Sequence, residues 1–173
     1  MTWENFYKNR LNIDYFNHIK KHYKTFIKEI ENSINENSKV LEIGCGIGSI
    51  TRALNKSADY HISDKDSDML KLSQLNTNID GFVYDILEEL KMRFDVVHSH
   101  GVLEHFNKED VNKIIKNQLK IAKTLIHYVP SNKYKEQSFG DENLLNKEEW
   151  KRICEPNEIK EFNNNHDLIL IWR

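Results

Sequence analysis

The sequence predicts an α/β protein with a mostly parallel β-sheet, because short apolar runs alternate with helical patterns over most of the chain. This alternation is typical of βαβ units, in which a helix connects one parallel strand to the next. Two apolar runs separated by three consecutive asparagines near the C-terminal end predict an antiparallel hairpin. With 173 residues, 39% of them hydrophobic, the chain is predicted to form one domain around one core.

The first predicted element is a helix over residues 3–36. Its apolar residues recur at spacings of three and four, which places them on one stripe of a helix. The stripe consists of Tyr15, Ile19, Tyr23, Phe26, Ile27, Ile30 and Ile34. Asparagines at positions 32, 35 and 37 supply turn residues before the pattern changes.

Beyond residue 38 the sequence alternates between short strands and helices. Strands are predicted at 39–43, 60–63, 81–84, 94–98 and 123–129. Helices are predicted at 47–54, 68–75 and 108–121, and a short helix at 147–154 follows a loop over 130–146. The hairpin consists of strands at 159–162 and 168–172. Because the final strand is apolar and includes Trp172, it is interpreted either as a covered edge or as a contact in a homodimer.

The charge and cysteine counts exclude several classes of protein. The 25 basic and 27 acidic residues give a formal net charge of −2, so no overall positive field is present to bind nucleic acid. Cys45 and Cys154 are too few for a disulfide framework or a zinc cluster, and no metal site is predicted. The apolar runs are too short to cross a membrane, and residues 1–5 lack the pattern of a signal peptide. We therefore expect a cytoplasmic protein.

The main functional signal is a glycine-rich turn between the first strand and its helix. Residues 40–48 read Val-Leu-Glu-Ile-Gly-Cys-Gly-Ile-Gly. Gly44 permits a tight turn, Gly46 lets a ligand approach the backbone without meeting a Cβ, and Gly48 opens a helix whose N–H groups favour anionic groups. The alternative interpretation is a βα turn that needs glycine for its geometry alone.

Two acidic residues extend this signal to the neighbouring strands. Asp64 follows the second predicted strand, 20 residues after Gly44, where a carboxylate accepts hydrogen bonds from ribose hydroxyls. Asp85 follows the third strand, where its carboxylate is placed to accept from an adenine amino group. Either residue alone is explained as well by a solvated loop or a helix N-cap. Together with the turn they mark the carboxyl ends of three adjacent strands, which is where open α/β sheets bind ligands.

The order of these features resembles that of the class I S-adenosylmethionine-dependent methyltransferases of the small-molecule type. Residues 40–48 look like the family's first motif, 64–70 its second, 84–86 its third and 94–106 its fourth. The resemblance implies an α/β fold with a Rossmann-like, seven-stranded, mostly parallel sheet, helices on both faces and an antiparallel C-terminal hairpin. It also implies one methyltransferase domain over residues 1–173, with an N-terminal helical lid at 1–36 and a Rossmann-like core at 39–173.

The resemblance implies S-adenosylmethionine as cofactor, S-adenosylhomocysteine as its product, and a set of binding residues. One carboxylate, Glu42, would orient the cofactor's amino group, and the glycine turn would pass beneath its methionine part. Asp64 would hold the ribose, while Asp85 and Ile86 would contact the adenine. Lys65 departs from the family pattern, which often has an apolar residue against the adenine at that position. The implied cofactor-binding residues are Glu42, Gly44, Gly46, Gly48, Asp64, Lys65, Asp85, Ile86 and Ser99.

Two histidines near the end of the fourth predicted strand are candidate catalytic bases. His100 and His105 flank residues 101–104, and imidazole titrates near neutral pH. By the resemblance, His100 falls where related enzymes place groups that polarise the substrate. The alternative is that His100 only shapes the cofactor pocket and that His105 only forms a hydrogen bond within its helix. His98 is interpreted as structural.

The sequence leaves the methyl acceptor open. An aromatic cluster before the first strand is predicted to form part of a lid or, alternatively, to pack against the sheet, and residues 140–146 are a second candidate for the acceptor pocket. The cluster consists of Trp3, Phe6, Tyr7, Tyr15 and Phe16. The function implied is methyl transfer to a small-molecule acceptor by in-line displacement. A protein or RNA methyltransferase and a non-catalytic S-adenosylmethionine-binding protein remain alternatives, and a nicotinamide oxidoreductase is the least favoured.

Overall fold

The computed structural model describes residues 2–8 and 10–173 and contains a seven-stranded sheet. Its strands are β1 Lys39–Ile43, β2 Asp59–Asp64, β3 Gly81–Val83, β4 Phe94–His100, β5 Ala122–Pro130, β6 Glu158–Phe162 and β7 Asp167–Trp172. Their order in the sheet is β3-β2-β1-β4-β5-β7-β6. The first five strands are parallel, and β7 is antiparallel to both β5 and β6. The predicted sheet and its closing hairpin are confirmed.

Seven α-helices in the described part of the chain accompany this sheet. They are α1 Trp3–Tyr7, α2 Ile13–His22, α3 Lys24–Asn32, α4 Ser49–Ala53, α5 Ser67–Thr77, α6 Lys108–Leu119 and α7 Lys147–Cys154. A single 3₁₀ turn, Leu103–His105, follows β4. Two long connections contain no helix: residues 84–93 between β3 and β4, and residues 131–146 between β5 and α7.

The N-terminal stretch forms three helices, so the prediction of one continuous helix over 3–36 is wrong. Asn12 has an extended backbone, and its side chain accepts from the N–H of Tyr15 as the N-cap of α2. Such a side chain satisfies a free N–H at a helix start and therefore favours a new helix there. Tyr23 leaves helical geometry between α2 and α3. The parts of the predicted lid that fall on residues 1 and 9 lie outside the described residues.

Helices cover both faces of the sheet. Successive side chains of a strand point to opposite faces, so each strand contributes apolar residues to both layers. On one face α2, α3 and α4 pack on a core that includes Phe26, Ile50 and Val96. On the other face α6 and α7 pack on a core that includes Ile114 and Trp150. The sheet is thus buried between two apolar layers, and the carboxyl ends of the parallel strands open at one edge.

The final strand lies inside the sheet, with β5 on one side and β6 on the other. Trp172 is only 4% exposed, and its Nε1 donates to the carbonyl of Cys154 at 3.2 Å. The apolar character of this strand is therefore explained by burial within the chain, and neither predicted role, a covered edge or a dimer contact, is needed. None of the helices in the described residues is both long and apolar enough to span a membrane.

Candidate active site

The carboxyl ends of β1, β2 and β4 and the turn after β3 surround a cleft of about 770 Å³, called here the first cavity. Eight of the eleven site residues predicted from the sequence line it. They are Gly44, Gly46, Asp64, Lys65, Asp85, Ile86, His100 and His105. The topology brings these residues together because parallel strands end at the same edge of the sheet.

The glycine turn forms the floor of this cavity in a conformation that side chains disfavour. Gly44, Gly46 and Gly48 have φ values of +67°, +53° and +75°. A Cβ at Gly46 would lie 2.9 Å from the hydroxyl oxygen of Tyr7, and one at Gly44 would lie 2.6 Å from Cγ2 of Val102. Glycine is therefore required here both by the backbone and by the space above it.

Asp64 is fixed by backbone groups at the end of β2. Its Oδ2 accepts from the N–H of Gly46 at 2.8 Å, and its Oδ1 accepts from the N–H of Asp66 at 2.9 Å. Burial raises the pKa of Asp64 above its ordinary value, against the effect of these hydrogen bonds. Because an ionised carboxylate has about four acceptor positions, Asp64 retains capacity for ligand hydroxyls.

Asp85 and Lys65 form an ion pair at the mouth of the first cavity. Lys65 Nζ lies 2.7 Å from Asp85 Oδ2, and the N–H of Leu87 donates to Asp85 Oδ1 at 3.0 Å. The hydrogen bond from Lys65 lowers the pKa of Asp85. The Lys65 side chain is 76% exposed, so its ammonium lies at the solvent side of the cavity.

Three predicted site residues lie away from the first cavity. Glu42 is buried beneath the turn and accepts from both the N–H and the hydroxyl of Thr51; burial raises its pKa to about 7. Gly48 packs against α5, where a Cβ would lie 2.5 Å from the Ser73 hydroxyl. Ser99 is fully buried, and its hydroxyl forms a 2.8 Å hydrogen bond with His127 Nδ1.

A second cavity of about 860 Å³ adjoins the first and lies under α1 and the 131–146 loop. The two cavities share the lining residues Trp3, Tyr7, His100, Gly101 and His105. The ring of Trp3 stacks on Phe139 with centroids 4.0 Å apart, which joins α1 to the loop. Residues 140–146, predicted to be part of an acceptor pocket, contribute Glu142 and Leu144 to the lining.

His100 and His105 occupy different environments beside the two cavities. The His100 ring stacks on Tyr128 with centroids 4.5 Å apart, and its Nε2 has no hydrogen-bond partner. Burial lowers the pKa of His100 to about 3, so the ring is neutral at neutral pH and a weak base. His105 Nδ1 lies 2.6 Å from Asp141 Oδ1, so it pairs with the 131–146 loop rather than within its own turn.

Glu104 lines the second cavity but is not among the site residues that the sequence predicts. It lies in the 3₁₀ turn after β4 and is only 3% exposed. Burial raises its pKa to about 8, and its Oε2 has no hydrogen-bond partner. The only signal in the sequence is its position between the two histidines. Its burial depends on packing against the distant 131–146 loop.

Comparisons with known proteins indicate a class of enzyme and a fold. A family model described as "Methyltransferase domain" matches residues 41–124, which include the glycine turn, Asp64, Asp85 and the whole of β4. No curated protein sequence matches the chain.

Solved structures share the fold at low sequence identity. PH0226 from Pyrococcus horikoshii OT3 gives a TM-score of 0.76 at 14% identity, over 98% of this chain and 98% of that chain. Magnesium protoporphyrin IX methyltransferase (ChlM) from Synechocystis PCC 6803, solved with bound SAH, gives a TM-score of 0.70 at 15% identity, over 98% of this chain and 91% of that chain. The N-methyltransferase NodS from Bradyrhizobium japonicum WM9 gives a TM-score of 0.70 at 18% identity, over 91% of this chain and 97% of that chain.

At these identities the structural likeness shows the fold, and the family model adds the class of enzyme over residues 41–124. The match falls on the strands and turns that form the first cavity. On this fold, and with this match, residues 41–124 form a methyltransferase domain.

Proposed function

We propose that the enzyme transfers the methyl group of S-adenosylmethionine to a small molecule held in the second cavity. The observation that carries this proposal is the wall of five residues shared by the two cavities. A cofactor in the first cavity would direct its methyl group across that wall. The stack of Trp3 on Phe139 lies on the lining of the second cavity and narrows it, which favours a compact acceptor over a protein or RNA chain.

The residues of the first cavity fit the cofactor. Gly44 and Gly46 leave the floor free of side chains, so the methionine part can approach the backbone. Asp64 would accept hydrogen bonds from the ribose hydroxyls. Asp85 would accept from the adenine amino group, and Ile86 would pack against the adenine ring. Lys65 would remain at the mouth as the partner of Asp85.

The chain contributes binding, alignment and exclusion of water. When bound, S-adenosylmethionine supplies a sulfonium methyl group that is already activated for transfer. The shared wall aligns the two ligands, and such alignment is worth up to about 7–11 kcal/mol of a reaction barrier. The aromatic residues that line both cavities would limit the access of water, which would otherwise compete with the acceptor.

Loss of the Asp64 carboxylate tests the cofactor site. Titration of the protein with S-adenosylhomocysteine by calorimetry should give micromolar binding, and Asp64→Ala should weaken it by about 1.5–3 kcal/mol, or at least tenfold. An exposed control, Asp80→Asn, should bind as the wild type does. Absence of binding by the wild-type protein would contradict the proposed function.

A labelled methyl group tests the class of acceptor. The protein is incubated with a cell lysate and methyl-labelled S-adenosylmethionine, and the products are separated by ultrafiltration. Chromatography of the filtrate should then show a labelled small molecule other than S-adenosylmethionine in wild-type reactions, and this product should be missing with Asp64→Ala. Label retained with protein or RNA in a wild-type-dependent manner would instead identify a macromolecular acceptor.

A further inference from the structure

The lining of the second cavity is aromatic and acidic. Separate parts of the chain contribute aromatic rings to this lining. Trp3 and Tyr7 come from α1, and Tyr134 and Phe139 come from the 131–146 loop. Tyr23, between α2 and α3, and Tyr128, in β5, lie in the core. Three glutamates lie among these rings, and no lysine or arginine in the described part of the chain lines the cavity. Aromatic faces and carboxylates both attract cations, and nothing in this lining balances an anion.

The carboxyl groups of two of these glutamates differ in their partners. Glu142 accepts from the Ser138 hydroxyl at 2.6 Å and from the N–H groups of Phe139 and Gly140 at 2.6 and 2.9 Å. Although burial opposes it, this set of hydrogen bonds holds the pKa of Glu142 at about 2. Glu104 has no partner at Oε2. A buried carboxyl oxygen without a partner is costly, so a ligand that donates to Glu104 would stabilise this group.

The position of Glu104 places it next to the transfer point. A Cβ at Gly101 would lie 3.4 Å from Oε1 of Glu104, and Gly101 lines both cavities. The Glu104 carboxyl therefore lies beside the wall that the methyl group must cross. His100 shares this wall, but its pKa of about 3 makes it too weak a base to take a proton from an ammonium group.

We infer that the acceptor is a primary or secondary amine, and that Glu104 removes the proton from its ammonium form before methyl transfer. This inference rests on the proposed function. An ammonium ion entering the cavity would meet the aromatic faces and donate to the free oxygen of Glu104. Burial and the charges of Glu142 and Asp141 raise the pKa of Glu104 to about 8, which brings it towards that of an amine. At neutral pH most of the Glu104 carboxyl is protonated, so the ionised fraction accepts the proton, and a nearby ammonium ion increases that fraction.

The step balances in atoms and electrons. An ammonium proton passes to the Glu104 carboxylate and leaves a neutral amine with a free lone pair. That lone pair forms the new bond to the methyl carbon while the carbon–sulfur bond breaks and its electron pair stays on sulfur. The products are S-adenosylhomocysteine and a methylated ammonium ion, and Glu104 then returns its proton to solvent.

Three probes of one skeleton test this inference: 2-phenylethylamine, 2-phenylethanol and phenylacetate. Their binding is measured by calorimetry on the protein saturated with S-adenosylhomocysteine. The amine should bind at least ten times more tightly than the alcohol, and the anionic phenylacetate should bind most weakly. Glu104→Gln, which keeps the shape of the side chain, should weaken amine binding at least tenfold and leave binding of the alcohol and of S-adenosylhomocysteine unchanged.

The exposed Glu89→Gln is the matched control and should bind all four ligands as the wild type does. An amine that binds no better than the alcohol, or that binds Glu104→Gln as well as the wild type, would overturn the inference. Failure of the proposed function has a different signature, because the wild-type protein would then not bind S-adenosylhomocysteine at all. Thermal melting of Glu104→Gln, alone and with S-adenosylhomocysteine, confirms that the variant is folded.

Discussion

The two cavities share a wall but are built in different ways. The first is shaped by backbone: glycines with positive φ, and N–H groups of the turn and of the segment after β2 that fix Asp64. The second is shaped by side chains from α1, from the core beside β5 and from the 131–146 loop, which meet by ring stacking and at shared hydrogen-bond acceptors. A backbone cradle suits one constant ligand, whereas a side-chain lining changes with few substitutions. We therefore expect variants to affect one cavity without the other.

The largest effect should come from Gly46→Val, which fills the floor of the first cavity. A side chain at this φ destabilises the folded protein by about 1–2 kcal/mol, and its collision with Tyr7 adds an overpacking cost of about 1–3 kcal/mol. The valine side chain would also occupy space that the ligand needs. We expect S-adenosylhomocysteine binding, measured by calorimetry, to fall about a hundredfold or more. Gly140→Val is the control, because Gly140 also has positive φ but nothing lies within 4 Å of a Cβ there. Wild-type affinity in Gly46→Val would show that the turn is not the cradle.

A smaller effect, confined to the second cavity, is expected for Asp167→Asn. The buried Asp167 accepts from the hydroxyls of Tyr128 and Tyr134 at 2.8 and 2.9 Å, and so ties the 131–146 loop to β7. The NH₂ group of the new amide would face groups that donate to the carboxylate in the wild type. At least one hydrogen bond to a carboxylate would be lost, and such a bond contributes about 1.5–3 kcal/mol to stability.

Thermal melting should show a loss of several degrees for Asp167→Asn. Binding of 2-phenylethylamine should weaken while that of S-adenosylhomocysteine stays within twofold, and the exposed Asp80→Asn should change neither. An equal loss of affinity for both ligands would mean that the two cavities are not independent.

The smallest effect is expected for Lys65→Ala at the mouth of the first cavity. Its ion pair with Asp85 is largely exposed, and exposed pairs contribute about 0.2–1 kcal/mol. The variant frees Asp85 for the adenine, so S-adenosylhomocysteine affinity should rise by no more than about fivefold, and the difference should shrink in high salt. A tenfold loss of affinity would instead show that Lys65 itself binds the cofactor.

The same contrast explains what the sequence could predict. Seven strands and the glycine turn follow from local pattern, and Asp64 and Asp85 are found by their positions just after strands. The break at Asn12 is not predicted because the apolar stripe that defines the helix begins only at Tyr15, while the capping side chain of Asn12 decides where α2 begins.

Residues whose environment depends on distant segments were not predictable in the same way. Glu104 acquires its environment from the 131–146 loop, which has no periodic pattern, so its burial has no local signature. Ser99 lies opposite His127 of the neighbouring strand β5, and the two side chains share a hydrogen bond. No local sequence pattern specifies this partner.

The position of β7 bears on how the chain assembles. β5, β6 and β7 follow one another in sequence, but β7 inserts between the other two, so β6 reaches the sheet only by pairing with β7. During synthesis β6 therefore emerges without its partner, and the sheet is completed only after residues 167–172 have been made. The pairing of β7 with β5 joins distant segments and is slow relative to local structure such as the hairpin of β6 and β7. Deletion of these residues would detach β6 as well, which makes this short segment a closing step of folding rather than a removable tail.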